Sequence, residues 1–141
     1  MFEKNPEELL CATLRGESVK WPPKADLKFR RDFFHAIAYH GVEALFYSQL
    51  KRSPAWDSYP VDVRETLRNR AHLQGALELA RKRELVNVLG ALAKAGIRPL
   101  LMKGMPLAYT LYASAALRCR ADTDLLIKKR IWERHAGFWT I

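Results

Sequence analysis

The chain has 141 residues, 49% of them hydrophobic and 28% charged, which is enough for one domain with a core, or one domain and part of a second. Its 24 Lys and Arg against 15 Asp and Glu leave a net charge of +9, which favours polyanionic partners such as nucleotides, nucleic acid or phosphorylated substrates. The N-terminus, MFEKNPEELL, is unlike a signal peptide, no run of about 18 apolar residues occurs, and two cysteines without CxxC or Cys/His spacing suggest neither a disulfide framework nor a zinc site, so a cytoplasmic protein is expected.

Asn5-Pro6-Glu7-Glu8 predicts a helix start, with Asn as the cap, Pro in the first turn and acids at the positive end of the dipole; Gly16 can close that helix. After the break at Trp21-Pro22-Pro23, Phe29, Phe33, Phe34, Ile37 and Ala38 recur at helical spacing from about Asp26, which predicts a second helix with an apolar stripe. Gly41 interrupts it, and Val42, Leu45, Phe46, Gln49 and Leu50 carry a third. From Val61 to Ala95 there is no proline. Val63, Leu67, Ala71, Gln74, Leu77, Leu85, Val88, Leu89 and Leu92 largely keep one stripe there, as one long helix or as two broken near Gly75, ended by Gly96.

The pattern then changes. Ile97 to Met102 reads as a strand entering a turn at Lys103-Gly104, and Met105-Pro106 opens a short helix that includes Leu107, Ala108, Leu111 and Tyr112. A loop from Ala113 to Ala121 leads to a second strand, Thr123 to Ile127. The expected class is α+β and mostly helical. A helical region over 1–95 precedes a partial α/β unit with a small sheet over 96–141.

The chemistry concentrates in that unit. Alternation along a strand puts Asp122 and Asp124 on one face, about 6.6 Å apart, with Thr123 on the other. Two neighbouring carboxylates repel, and a divalent cation relieves the repulsion. Mg²⁺, which takes one or two carboxylates and completes its shell with phosphate oxygens and water, is the expected ion. At Lys103-Gly104 a glycine lets backbone N–H groups approach a phosphate, the helix start adds its dipole, and Lys103 adds a cation. Arg118 stands shortly before the acids.

The stretch GIRPLLMKGMPLAYTLYASAALRCRADTDLLI, Gly96 to Ile127, resembles the core of the uncharacterised bacterial nucleotidyltransferase-like proteins, related to the DNA polymerase β-like nucleotidyltransferase superfamily. The resemblance implies Mg-dependent transfer of a nucleotidyl group from a nucleoside triphosphate to an unknown acceptor: a small molecule, a protein or a nucleic acid. It implies Asp122 and Asp124 as metal ligands and catalytic residues, with Lys103, Gly104 and Arg118 as nucleotide-binding residues. The chain departs from the superfamily in having Met105 after the turn glycine and a longer gap between Gly104 and Asp122. It also departs in lacking an evident third acidic strand between Lys128 and Ile141, where Glu133 is the one acid. It therefore reads as a truncated member with impaired turnover, whose uncovered sheet edge predicts a homodimer; the absence of a long apolar run predicts no membrane association.

Blander readings stand beside these. Asp122 and Asp124 could cap a turn or pair with Arg118 and Arg120. His35, His40, His72 and His135 lack metal-ligand spacing. The basic stretch of the long helix, from Arg64, Arg68 and Arg70 to Arg81-Lys82-Arg83, fits a solvated face or, as the alternative function, a non-catalytic module that binds a polyanion or a partner protein.

Overall fold

The computed structural model describes residues 5–128, in which five α-helices and one two-stranded sheet follow one another in the expected α+β, mostly helical order. α1 (Pro6–Leu14) begins where Asn5 caps it, the side chain accepting the Glu7 N–H at 3.2 Å. α2 (Leu27–Tyr39) begins on Asp26, whose carboxylate accepts the Phe29 N–H at 2.7 Å. It ends at Gly41, where φ is +62° and the Val42 N–H returns to the Ile37 carbonyl at 3.2 Å, a closure that favours glycine. α3 (Glu43–Lys51) follows, and then α4 (Val61–Lys94), 34 residues in one piece. The break considered near Gly75 does not occur. A lone glycine costs about 1 kcal/mol in a helix, too little to interrupt flanking runs of Ala, Leu, Arg and Glu.

The core lies between α1, α2, α3 and the first half of α4. Leu9, Phe33, Ile37, Phe46, Leu50, Val63 and Leu67 are fully buried, each contributing about 1.5–3 kcal/mol on leaving water. Ala38, expected on the same stripe, faces outward, and Ala36 is buried in its place. Aromatic rings meet edge to face, with Trp21 and Phe33 centroids 5.1 Å apart and Phe33 and Phe46 5.4 Å apart. Tyr59 closes this core from the loop before α4. Its hydroxyl donates to the Val19 carbonyl at 3.1 Å, and burial pushes its pKa up to about 12.

The second half of α4 extends past this core. Val63, Leu67 and Leu92 are its buried apolar residues; Leu77 is 43% exposed and Val88 39%. The buried residue at mid-helix is Glu78, not Leu77. β1 (Leu100–Met102) and β2 (Asp124–Leu126) pair antiparallel, with Leu100 opposite Leu126 and Met102 opposite Asp124. Both strands are shorter than predicted. Ile97 belongs to the end of α4, its N–H bonded to the Leu92 carbonyl at 2.8 Å, and Pro99 has no N–H to give a ladder. α5 (Gly104–Thr110) packs on β1 and on a 3₁₀ turn at Ala115–Leu117; that turn packs in turn against α3 and α4. Among the described residues no helix is long and apolar enough to cross a membrane.

Candidate functional site

The turn between β1 and α5 holds an unusual backbone. Lys103 has φ +57° and ψ −126°, and it is the one non-glycine residue with positive φ among the described residues. Such a conformation is costly for an L-residue and persists where surrounding contacts hold it. Here the antiparallel register places Met102 opposite Asp124, and the next side chain, Lys103, reaches across with its Nζ 3.1 Å from the Asp124 Oδ2. The Asp124 carboxylate, with a smaller contribution from Asp122, holds the Lys103 ammonium above the ordinary lysine range.

Gly104 comes next, and Arg118 covers it. The Arg118 Nε donates to the Gly104 carbonyl at 3.3 Å, and its Nη2 lies 3.3 Å from where a Cβ on Gly104 would stand. The guanidinium also sits over the Tyr112 ring, 5.9 Å from its centroid. Lys103, Gly104, Arg118 and Asp124 are thus gathered at one end of the sheet, although Arg118 and Asp124 follow Gly104 by 14 and 20 residues of chain.

Asp122 differs from the expectation in one respect. β2 starts at Asp124, so Asp122 lies before the strand and strand alternation does not fix its face. It is exposed. It lines a cavity of about 340 Å³ between α4, represented by Arg81, Leu85 and Val88, and the segment that includes Thr123 and Leu125. Among the described residues no group of three or more His, Cys, Asp or Glu gathers as a metal site, and Glu84 of α4 is a further acid that lines the cavity beside Asp122. Glu133 and His135 lie outside the described residues.

Four residues that the sequence reading did not place at the site surround it. Glu78 on α4 accepts two bonds from Arg120, Nη2 to Oε1 at 2.7 Å and Nε to Oε2 at 3.2 Å, with the two side chains 6% and 4% exposed. The Tyr109 hydroxyl on α5 donates to the same Oε1 at 2.8 Å, and Arg120 Nη1 donates to the Thr123 Oγ1 at 3.0 Å. Burial alone would raise the Glu78 pKa, but the Arg120 guanidinium and the Tyr109 hydroxyl outweigh it and hold the carboxyl below the usual range. The signal was present in the sequence. Stepping from Leu67 at 3.6 residues per turn leads through Gln74, Glu78 and Arg81 to Leu85 and Leu92, a polar interruption in an otherwise buried stripe.

Two arginines of the long helix's basic stretch are paired, Arg64 with Asp57 at 2.9 Å and Arg70 with Glu43 at 2.6 Å, and Arg30 of α2 pairs with Asp62 at the start of that helix.

Comparison with curated proteins and with solved structures gave no match. Residues 30–136 match a family model described as uncharacterised nucleotidyltransferase, from within α2 through the sheet and past both aspartates. A match over so much of the chain establishes membership: the protein belongs to this nucleotidyltransferase family.

Proposed function

We propose that the chain binds a nucleoside triphosphate with Mg²⁺ and transfers its nucleotidyl group to an acceptor hydroxyl, as a relative of the DNA polymerase β-like superfamily. The observation that carries this reading is the meeting of Lys103, Gly104 and Arg118 with Asp124 at one end of the sheet. The donor set fits. Asp122 and Asp124 offer hard carboxylate oxygens, and Asp124 already has a cation at 3.1 Å. The two would hold Mg²⁺, which supplies charge neutralisation at the phosphates and a more acidic acceptor hydroxyl.

Each residue then has a task of its own. Lys103 and Arg118 bring two cations to phosphate oxygens, and Arg118 offers a planar donor set suited to them. Gly104 has no side chain, which leaves Arg118 room to lie against it. In the reaction the acceptor oxygen bonds to the α-phosphorus, the bond from that phosphorus to the β-phosphate oxygen breaks, pyrophosphate leaves, and the hydroxyl proton passes to solvent or a base.

The test is to titrate the full chain with each Mg-NTP, follow binding by calorimetry and pyrophosphate by a coupled assay, and repeat with Asp122→Asn, Asp124→Asn and Arg118→Ala. Loss of nucleotide binding in the variants supports the reading, and full retention in all three defeats it. A polyanion-binding module would instead ignore these changes and weaken steeply with salt.

A further inference from the structure

Each strand at the site has three residues, and a two-stranded sheet of that size does not hold its shape in water by itself. Mg²⁺ demands near-ideal geometry from its ligands, so something else must fix the segment that carries the aspartates. The structure contains such a fixture. The Glu78 carboxylate, on a rigid 34-residue helix, receives Tyr109 from α5, which begins at Gly104, and Arg120, two residues before Asp122. Arg120 then spends its remaining reach on Thr123, between the two aspartates.

Resting on the reading proposed above, we propose that Glu78 and Arg120 are positioning residues: together they set the distance and orientation between the Lys103-Gly104 turn and the Asp122/Asp124 pair, with Tyr109 and Thr123 as the two points of attachment. Three features argue for geometry over stability. A buried ion pair is often replaceable by apolar side chains without loss of stability, so stability alone gives little reason for one here. The other buried residues of α4 are Val63, Leu67 and Leu92, so Glu78 is a polar exception on an apolar surface. The arginine is also used for its shape: Nε and Nη2 grip the carboxylate while Nη1 holds Thr123, an arrangement that a lysine of equal charge cannot reproduce.

The experiment uses the full chain with Mn²⁺ as the probe, its affinity measured by electron paramagnetic resonance, together with hydrogen exchange at the amides of β2 and of α2. The variants are Arg120→Lys, Thr123→Val and Thr123→Ser. Thr123 is exposed, so its two variants keep the fold even where a change at Arg120 weakens it. Arg120→Lys and Thr123→Val are expected to weaken Mn²⁺ by about 10- to 100-fold, the usual effect of losing an outer-shell partner. They should also speed exchange in β2 while α2 stays protected. Thr123→Ser, which keeps the acceptor oxygen, should restore both readouts. If Arg120→Lys and Thr123→Val bind Mn²⁺ as the unaltered chain does, with β2 exchange unchanged, the positioning role is overturned. If the unaltered chain binds no Mn²⁺, the metal reading of the aspartates falls, and the positioning role assigned here falls with it. The two failures are therefore distinguishable.

Discussion

Replacing Glu78 with alanine should be among the costliest single changes in the chain, even though α4 itself gains a better helix former. The change leaves the Arg120 guanidinium, 4% exposed, without both of its carboxylate bonds, and it leaves the Tyr109 hydroxyl without its acceptor. Removing one partner of a buried pair costs about 3–5 kcal/mol, because the other charge stays buried and uncompensated. Against a total stability of about 5–15 kcal/mol that is a large share. For a chain of this size each kcal/mol lowers the thermal midpoint by roughly 2–4 °C, so a fall of about 6–20 °C is expected. Replacing both partners, as Glu78→Met with Arg120→Met, removes the stranded charge and should return stability to within about 1–2 kcal/mol of the unaltered chain. Urea unfolding followed by far-UV circular dichroism reads both values. A cost below about 1 kcal/mol for Glu78→Ala, the size expected of a solvated surface pair, would refute the reasoning. The double variant also separates two effects, since it should recover stability while leaving Mn²⁺ affinity low.

The other expectations are smaller. The Glu78 carboxyl titrates below its ordinary 4.5 when folded, so its contribution is complete above that pH and is lost as pH falls through the folded value; the stability gap between the unaltered chain and Glu78→Gln should narrow below about pH 4.5 in urea titrations. Gly41→Ala should cost about 1–2 kcal/mol by thermal unfolding, since φ is +62° and the added Cβ would meet the Cys119 Cβ at 3.2 Å. Lys103→Gly should raise the thermal midpoint, because glycine enters that backbone conformation freely, while weakening Mg-ATP binding in calorimetry; a lowered midpoint would argue against strain at the turn. Tyr59→Phe should cost about 1 kcal/mol in urea unfolding, from the lost bond to the Val19 carbonyl.

Much of the fold was legible because its signals are local. Asn5 and Asp26 cap the helices that they were read to cap or begin, and Gly41 ends the helix it was read to interrupt, since caps and closures depend on a few consecutive residues. The long helix was ambiguous at Gly75, and rightly so: one glycine is a weak breaker, and its effect depends on what the neighbouring turns pack against. The strand lengths were overestimated because apolar runs do not reveal where a ladder stops. Pro99 and the helix closure at Ile97 decide that, and the second of these is a bond to Leu92 that only the folded helix end creates.

The site divides along the same line. Lys103, Gly104, Arg118, Asp122 and Asp124 stood out because each belongs to a residue type whose chemistry is evident without a partner. Glu78, Tyr109 and Arg120 did not, because a glutamate at mid-helix and an arginine beside two aspartates look like solvated surface until the chain closes 42 residues between them. A buried charge can be read from a sequence only as an interruption in a stripe, and Gln74, Glu78 and Arg81 are such an interruption. Two of them still have buried nitrogen atoms without a hydrogen-bond partner among the described residues, Gln74 Nε2 and Arg81 Nη1. The polar face of α4 is therefore only partly satisfied by the contacts described. Arg81 also lines the cavity beside Asp122. The long helix is then more than a spacer between the helical core and the sheet: its first half builds the core, and its second half presents polar groups to the segment where the chemistry is proposed.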